Sequence, residues 1–501
     1  MSEPTPPRCE HHLVVGRSAA PSATPMLWLE RGPGGWALPL WSSAEQRAAD
    51  VVHLTRAAAD RIGAEVSVLR CLSDLPAGDD GVRHQVHDLD VHGVDAAWSP
   101  VGSGRWFGAV EVEGLPLARP EHGPVLTEWL IARRARQEPS DGRDWVLPGW
   151  RDEVALWVNG QLSRHRLPPL ARIEQVKVWE FSHVLRLWAG DVELYFKALA
   201  ASGAVEPLLV ERLAALHPTV MPDVVSVEPA RRWLLMRASP GALLDQVDDV
   251  ARWEQAAEVL ARVQIDSAGR IAELRALGCV ERPLAWLAGE IDPLLADSEA
   301  MQPQDPEALT ALEIERLRTR GPELHALCRE LDAYGAPACL EHGDFWAANV
   351  IATERGPVLI DWEDATLSHP FLSAYLLLTS LDYADVIGDK AAARDRIRRA
   401  YLGPWREACP DRSGPAGGLE RAFDLALLLA PLHHAVQFRL GLWRVERSWE
   451  VRAFLPHFLR RLLDALPPRR DRVAAPASAG EEEVRGACSP AGRSGETRPG
   501  R

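Results

Sequence analysis

The chain has 501 residues, of which 47% are hydrophobic and 25% charged, and its formal net charge is −15. This length is sufficient for two or three domains, and the composition is typical of an ordinary globular protein. The negative charge argues against nucleic acid or an anionic membrane as a partner, and no apolar run approaches the length of a membrane span. Seven scattered cysteines without a CxxC pair, and an N-terminus without an apolar signal segment, lead us to expect a cytoplasmic protein.

Two residue types are rare in this chain. Only three of the 56 basic residues are lysine, and only two residues in the whole chain are asparagine. Arginine and lysine are not interchangeable, because lysine presents a compact point charge and arginine a planar fork. Because this chain otherwise prefers arginine, we expect the few lysines that it retains to have a function.

The N-terminal region, residues 1–137, alternates short apolar runs with Gly- and Pro-containing turns. The alternation predicts strands, and two stretches with helical periodicity, Ala44–Ile62 and Pro124–Arg136, predict helices. The predicted strands are His12–Val15, Pro25–Leu29, Trp36–Leu40, Ala64–Leu72 and Gly108–Val112. Residues 138–168 are predicted to be a turn-rich linker, over 138–142, followed by an amphipathic helix.

From residue 169 the pattern changes to strand–turn–strand and then becomes mainly helical. A helix is predicted over Glu206–Leu216, where apolar residues recur at helical spacing. The predicted strands are Ile173–Trp179, His183–Trp188, Val192–Lys197, Val224–Val227 and Trp233–Met236. The tail, residues 469–501, is rich in Ala, Gly, Ser, Pro, Glu and Arg, which predicts disorder.

The segment 342–361 contains the motif His-Gly-Asp-(x)4-Asn and then a short apolar strand that ends in Asp. Phosphoryl transfer needs an acceptor hydroxyl held in line, a metal ion on the phosphates and a base near the hydroxyl. We interpret Asp344 as the catalytic base that orients the acceptor, and Asn349 and Asp361 as Mg²⁺ ligands, because Mg²⁺ prefers hard oxygen donors. His342 is expected to hold the loop by hydrogen bonds. The alternative is a loop with incidental polar residues.

This segment resembles the aminoglycoside phosphotransferase and choline kinase family, whose pattern it matches without gaps. The resemblance covers about residues 150–467. It implies an α+β, two-lobed, protein-kinase-like fold with a small β-rich lobe, residues 169–240, and a large helical lobe, residues 241–468. It also implies ATP or GTP as the phosphoryl donor, Mg²⁺ as the cofactor and a hydroxyl group as the acceptor.

The resemblance extends to the nucleotide-binding residues. Lys197 closes the third strand of the small lobe, where the family places the lysine that binds the α- and β-phosphates. The family pairs this lysine with a helix glutamate, and Glu206 fits better here than its rival Glu211. Met236 and Ala238 lie in a segment that resembles the hinge whose backbone binds adenine. The alternative for the hinge is a buried strand followed by a turn.

Two departures from the family pattern affect these expectations. The turn 179–183 has no glycine where protein kinases have a Gly-rich loop. Family members often carry Ser or Asn there, so Ser182 is expected to contact phosphate. Ser373 stands where the family often has an Asp, which we expect to weaken local hydrogen bonding without affecting the chemistry. Glu363 and Asp364 are expected to lie beside the metal site or in solvent.

The same resemblance implies that the phosphoryl acceptor is a small hydroxylated molecule. Residues 287–315 contain eight acidic residues and no Lys or Arg, and we interpret them as a solvated helical insert. The alternative hypothesis is that they help to capture a cationic acceptor, such as an amino sugar or a quaternary amine. His433 and His434 lie on an apolar helix and are expected to be packed.

The N-terminal region resembles a Nudix domain in Gly35–Pro39, in the helix that follows, and in Arg56 and Gly63. The acidic residues that hold Mg²⁺ in a Nudix box are mostly absent. The departures are Ala48, Ala57 and Arg61 at acidic positions and Ser42 at the first glycine, while Asp60 retains a carboxylate. We therefore expect a small α/β Nudix-like domain without hydrolase activity; the alternative is an unrelated α+β domain.

Together these features predict an ATP/Mg²⁺-dependent phosphotransferase acting on an aminoglycoside-, choline- or sugar-like hydroxyl. The alternative is a catalytically silent kinase-like module that binds nucleotide or regulates a partner. The intact carboxylate and amide residues of 342–361 count against that alternative. A hydrolase acting through the first domain is disfavoured by its missing glutamates.

Overall fold

A computed structural model describes residues 8–17, 25–44, 49–75, 81–95, 97–135, 142–301, 308–409, 418–441 and 449–467. Most of the predicted linker and the predicted disordered tail lie outside these residues. Met1–Ala465 is one compact unit. Within the described ranges, no helix has both the length and the apolar character that crossing a bilayer requires. The boundaries between the predicted domains stay predictions.

The N-terminal region is a seven-stranded mixed sheet with three helices. Its path is β3-β2-β1-β6-β5, with β4 on β1 and β7 on β2; β1 and β6 are parallel and the other pairs antiparallel. The strands are β1 (Arg8–Arg17), β2 (Met26–Gly32), β3 (Gly35–Ala37), β4 (Leu40–Ser43), β5 (Glu65–Leu75), β6 (Val82–His92) and β7 (Gly104–Gly108). The helices are α1 (Val52–Ile62), α2 (Ala109–Val112) and α3 (His122–Ala135).

Several N-terminal predictions were wrong. Strand β6 was not predicted, because four polar residues in it are buried and obscure the apolar alternation. These residues are Arg83, Gln85, His87 and Asp88. The strand predicted over Gly108–Val112 ends at Gly108 and is followed by helix α2. The helix predicted from Ala44 begins at Val52, since Asp50 forms a β-bridge to Lys177 instead.

The small lobe is a five-stranded antiparallel sheet in the order β11-β12-β10-β9-β8. Helix α4 (Trp150–Arg164) precedes it, and helix α5 (Glu206–Leu216) occupies the predicted residues. The strands are β8 (Arg172–Val178), β9 (Ser182–Ala189), β10 (Val192–Leu199), β11 (Val224–Glu228) and β12 (Trp233–Arg237). All five strands agree with the predicted ones to within two residues at each end.

The large lobe is mainly helical, with two small three-stranded sheets that carry the 342–361 segment. Strand β15 leads directly into His342, and β17 ends two residues before Asp361. The strands are β13 (Ala242–Leu243), β14 (Val280–Glu281), β15 (Cys339–Glu341), β16 (Val350–Thr353), β17 (Gly356–Leu359) and β18 (Thr366–Ser368). The helices are α6 (Val250–Ala268), α7 (Ile271–Leu277), α8 (Leu284–Ala296), α9 (Ser298–Met301), α10 (Ala311–Ala333), α11 (Ala374–Tyr383), α12 (Lys390–Ala408), α13 (Gly418–Leu440) and α14 (Trp449–Ala465).

The N-terminal region packs on the edge strand β8 of the small lobe. One apolar core includes Leu13 and Val68 from the N-terminal sheet together with Leu185 from the small lobe. The side chain of Gln175 on β8 also binds both backbone groups of Val68, accepting at 2.8 Å and donating at 2.6 Å. Because an exposed sheet edge is prone to unwanted pairing, this contact protects β8 as well as joining the two sheets.

Candidate active site

His342 holds the loop that carries Asp344. Its side chain is fully buried and lies 4.3 Å from the ring of Trp362. Burial lowers the pKa of His342 to about 4, so the imidazole is neutral at pH near 7. Its Nε2 donates to the carbonyl of Ile360 at 3.1 Å, and its Nδ1 accepts the N–H of Asp344 at 3.4 Å. The ring therefore ties the Asp344 loop to the segment that carries Asp361.

Gly343 provides the backbone conformation that this loop requires. Its φ is +83°, in the left-handed region that glycine adopts without steric cost. A Cβ at this position would also collide with the backbone carbonyl of Asp364. The glycine is therefore needed for both conformation and close approach.

Asp344 and Asn349 are hydrogen-bonded to each other. The amide nitrogen of Asn349 donates to the backbone carbonyl of Asp344 at 2.8 Å and to its Oδ2 at 2.9 Å. Burial and the nearby charge of Asp361 raise the pKa of Asp344 to about 7, although Lys177 and Asn349 oppose the shift. A carboxylate with a pKa near the working pH is well suited to accept a proton from a hydroxyl.

Asp361 is held in a sparsely populated backbone conformation, with φ of +65°. Such strain in a non-glycine residue is typical of functional sites, where surrounding contacts compensate for it. The compensation here includes a contact between its carboxylate and the ammonium of Lys197. Burial opposes its ionisation, but Lys197 and Lys177 outweigh burial and lower the pKa of Asp361 to about 2. Asp361 is therefore an anionic oxygen donor.

Lys197 lies among three carboxylates. Besides Asp361, its Nζ is 2.7 Å from Glu206 and 2.9 Å from Glu363, and only 8% of the lysine side chain is exposed. Burial, together with the negative charges of Asp361 and Glu363, raises the pKa of Glu206 to about 7, although the ammonium of Lys197 opposes the shift. The other oxygen of Glu206 accepts the N–H of Trp362 at 3.0 Å, which links the small lobe to the strand end of the large lobe.

The structure distinguishes the two candidate partners of Lys197. Glu206, at the first turn of α5, reaches the ammonium, whereas Glu211 is exposed on the same helix. Glu363, expected beside the metal site or in solvent, contacts the lysine directly. Asp364 is exposed.

The donor atoms suit a magnesium ion. Oxygens of Glu206, Asp361 and Glu363 lie within 4.8 Å of one another, and the ammonium of Lys197 contacts all three of these carboxylates. The amide nitrogen of Asn349 is committed to Asp344, so the atom of that side chain available to a cation is its carbonyl oxygen. Carboxylate and amide oxygens are the hard donors that Mg²⁺ prefers, so the donor chemistry of the predicted pair Asn349 and Asp361 suits the ion.

Three residues predicted to contact nucleotide make hydrogen bonds or strand pairings within the small lobe. Ser182 is buried, and its hydroxyl accepts the indole N–H of Trp179 at 2.9 Å. The N–H of Ala238 donates to the carbonyl of Glu193 at 3.0 Å. Met236 is paired within the sheet through β10 and β11. Contacts of Ser182, Met236 and Ala238 with nucleotide stay predictions.

Lys177 was not among the predicted site residues. It lies near the end of β8, and its ammonium sits 4.0 Å from the centroid of the Trp179 ring. Its positive charge favours the ionised forms of both Asp344 and Asp361. Lysine is rare in this chain, and that rarity was a signal that could have identified it.

Glu341 was also missed. This fully buried carboxylate accepts the N–H of Gly343 at 2.9 Å, the hydroxyl of Ser373 at 3.1 Å and the hydroxyl of Thr366 at 3.2 Å. Its Oε2 lies 3.5 Å from His433 Nε2. Burial opposes ionisation, but His433 and the backbone N–H of Gly343 outweigh it and lower the pKa of Glu341 to about 2.

Ser373 takes part in the hydrogen bonding around the motif, and the weakening expected from its replacing an Asp stays a prediction. Its hydroxyl accepts the N–H of His342 at 3.1 Å and the amide of Gln264 at 3.2 Å, and donates to Glu341. Glu341, one residue before the motif, thus places a buried carboxylate beside this hydroxyl. His433 and the adjacent histidine at 434 are buried, as expected for packed residues.

The acidic stretch 287–315 is largely paired within the protein. Arg439 contacts Glu290 and Asp297, and Arg460 contacts Glu313. Asp292 lies 3.3 Å from His325, and residues 305 and 307 lie outside the described ranges. These pairings agree with the interpretation as a helical insert and leave few of its acids for a cationic acceptor.

Residues 192–412 match the family described as "Phosphotransferase enzyme family". The match assigns this segment to that family, and it contains Lys197, Glu206 and the 342–361 motif. It begins after Ser182 and does not extend to the N-terminal region, where the Nudix resemblance remains unconfirmed. No curated protein matches the chain.

Solved structures similar to the chain include three transferases. A macrolide 2'-phosphotransferase from Brachybacterium faecium is 17% identical over 64% of this chain and 100% of its own, with a TM-score of 0.38. A choline/ethanolamine kinase family protein from Mesorhizobium loti is 17% identical over 63% and 94%, with a TM-score of 0.43. A choline kinase from Streptococcus pneumoniae is 12% identical over 62% and 98%, with a TM-score of 0.42.

Proposed function

We propose that the protein is an ATP- and Mg²⁺-dependent phosphotransferase that moves a phosphoryl group to a hydroxyl of a small molecule. One observation carries the proposal. Asp344 and Asn349 are hydrogen-bonded in one loop, and Asp361 contacts Lys197, so residues far apart in the chain form one site. Membership of residues 192–412 in a phosphotransferase family supports the same reaction class.

Asp344 is the base of the proposed reaction. The acceptor hydroxyl oxygen forms a bond to the γ-phosphorus, the bond from that phosphorus to the leaving ADP oxygen breaks, and the hydroxyl proton passes to Asp344. The pKa of Asp344, raised by burial to about 7, makes the carboxylate a better proton acceptor than an exposed aspartate would be. Its hydrogen bond from Asn349 holds the accepting oxygen in place.

Asn349 and Asp361 would hold Mg²⁺, which when bound neutralises charge on the phosphates. Lys197 would contact the non-transferred phosphates, with Glu206 holding its ammonium in position. The turn after β8 has no glycine to approach phosphate closely. We infer that Lys177, beside that turn and acting electrostatically on Asp344 and Asp361, supplies positive charge there instead.

The resemblance of the 342–361 segment supports an aminoglycoside-, choline- or sugar-like acceptor. The net charge of −15 favours a neutral or cationic molecule over an anionic one. The paired acids of 287–315 do not form a dedicated cation site in the described residues. We therefore propose that any cationic acceptor is recognised at the site around Asp344.

Phosphoryl transfer from ATP to a panel of hydroxylated amines, sugars and aminoglycosides tests the proposal. Asp344→Asn should reduce transfer by about 10²–10⁴-fold while Mg²⁺ATP still raises the melting temperature. The matched control is Asp385→Asn, an exposed aspartate of the same lobe, which should transfer normally. Retained turnover in Asp344→Asn would refute the assigned base. Mg²⁺ATP binding without transfer to any acceptor would favour the alternative of a silent nucleotide-binding module.

For the N-terminal region we infer a Nudix-like fold without hydrolase activity. Asp60 is the one carboxylate on helix α1, and it is exposed. Arg56, which matches the Nudix pattern, pairs with Glu174 of the small lobe. Hydrolysis of nucleoside diphosphate derivatives should be undetectable in full-length Asp344→Asn protein. Mg²⁺-dependent hydrolysis that Asp60→Asn abolishes would contradict this inference.

A further inference from the structure

One face of the N-terminal sheet carries the side chains of Glu10, His12 and His84. Strands β1 and β6 are parallel, and their register places Glu10 opposite His84. His12 follows Glu10 by two residues and therefore shares its face of the strand. These three side chains are far from the candidate active site in sequence, and the proposed phosphotransferase reaction does not use them.

The distances among these side chains are those of a metal site. His84 Nδ1 lies 3.4 Å from His12 Nε2 and 3.5 Å from Glu10 Oε2. All three donor atoms lie within 4.8 Å of one another. Donors bound about 2.0–2.2 Å from a tetrahedral zinc ion lie roughly 3.3–3.6 Å from each other. Two of the three separations therefore already match those of tetrahedral ligands.

We propose that Glu10, His12 and His84 form a binding site for a divalent transition metal, with Zn²⁺ as the preferred ion. Two imidazoles and a carboxylate are a common set of three protein ligands for zinc, and the fourth position is then open to water. Imidazole donors disfavour Mg²⁺ and Ca²⁺, which select oxygen. The site therefore differs in ion preference from the Asn349 and Asp361 pair.

The surroundings orient the ligand set. His12 is buried, and Glu10 and His84 are partly buried. The ring of His122 packs edge-on against His12, with centroids 4.5 Å apart. Arg119 donates to Glu10 Oε2 at 3.0 Å and orients the carboxylate, although its positive charge also opposes a bound cation.

A bound ion would join strands β1 and β6 through side chains as well as through the backbone ladder. Leu13, the residue after His12, belongs to the core that the N-terminal sheet shares with the small lobe. The metal would therefore stabilise the region on which β8 rests. Because metal binds the folded site and not the unfolded chain, it should raise the melting temperature.

The test uses full-length, untagged protein freed of metal with a chelator that is then removed. Zn²⁺ is titrated calorimetrically in excess Mg²⁺, which keeps the Asn349 and Asp361 pair occupied. We expect one tightly bound Zn²⁺ per chain and a higher melting temperature. Co²⁺ should give the visible absorption bands of a tetrahedral site.

Two ligand variants and one control decide the result. His84→Ala and Glu10→Gln should each weaken Zn²⁺ binding by more than about 100-fold, since even partners outside the ligand set cost 10–100-fold. His165→Ala removes an exposed histidine outside the cluster and should bind as the parent protein does. Wild-type protein that binds no Zn²⁺ under these conditions would overturn the proposal. So would correctly folded His84→Ala and Glu10→Gln proteins that retain the parent affinity.

Discussion

Glu341→Gln tests the bracing of the catalytic loop by a buried carboxylate. The change preserves side-chain shape and removes one charge from a group that is fully buried. In the parent protein that carboxylate accepts hydrogen bonds from Gly343, Thr366 and Ser373. Glutamine has one oxygen that can still accept hydrogen bonds. Its NH₂ group takes the place of the other carboxylate oxygen and cannot accept the hydrogen bonds that this oxygen accepted.

The expected loss follows from these contacts. A hydrogen bond to a charged group contributes about 1.5–3 kcal/mol, against about 0.5–1.5 kcal/mol for a neutral one. Losing about 1 kcal/mol at each of the three bonds gives about 3 kcal/mol of destabilisation. For a lobe of this size that corresponds to a melting temperature lower by about 6–12 °C. Turnover should also fall, because Gly343 precedes the proposed base.

Thermal melts of the Glu341→Gln protein, followed by tryptophan fluorescence, measure the effect. Glu354→Gln is the control, since this exposed glutamate of the same lobe should change the melting temperature little. Hydrogen exchange of the peptide that contains 340–345 shows whether the loss is local to the motif. Faster exchange there, with unchanged exchange in β9 and β10, is the expected pattern.

The pH dependence of the difference identifies the responsible group. The pKa of Glu341 is lowered to about 2, so its contribution is present above the usual carboxylate value of about 4.5 and is lost as pH falls below it. The gap between parent and Glu341→Gln should therefore narrow as the pH falls below about 4.5. A gap that widens on such acidification, or a shift under about 2 °C at neutral pH, would refute the reasoning.

Three further substitutions test other parts of the site and its support. Lys197→Met leaves buried carboxylates without their cation, which should cost about 3–5 kcal/mol and abolish stabilisation by Mg²⁺ATP. Thermal melts should show a larger loss near pH 8 than near pH 6, because protonation relieves the repulsion only at lower pH. Gly343→Ala should inactivate the enzyme in transfer assays, since its Cβ would meet the carbonyl of Asp364; normal turnover would disprove the need for glycine. Arg56→Ala breaks an exposed ion pair with Glu174 and should change stability by less than about 1 kcal/mol in melts; a larger loss would show that this pair helps hold the N-terminal region on β8.

The strands and first helix of the small lobe, and the order of the catalytic motif, were predictable because they depend on local pattern. Apolar periodicity identified the Glu206–Leu216 helix to the residue. The spacing between Asp344, Asn349 and the strand-ending Asp361 is likewise a short-range feature. Strand β6 escaped the same method, because four of its buried residues are polar and interrupt the apolar alternation.

Tertiary structure alone decided which charges meet. Lys197 and Asp361 are 164 residues apart. No local sequence pattern predicts that the same ammonium also contacts Glu206 and Glu363. The same holds for Glu341, whose carboxylate accepts the hydroxyl of Ser373, 32 residues further along the chain. The sequence by itself determined the local elements and the residue types of the site. Its electrostatic pairing was decided by packing, because the energy of a buried charge depends on which distant groups surround it.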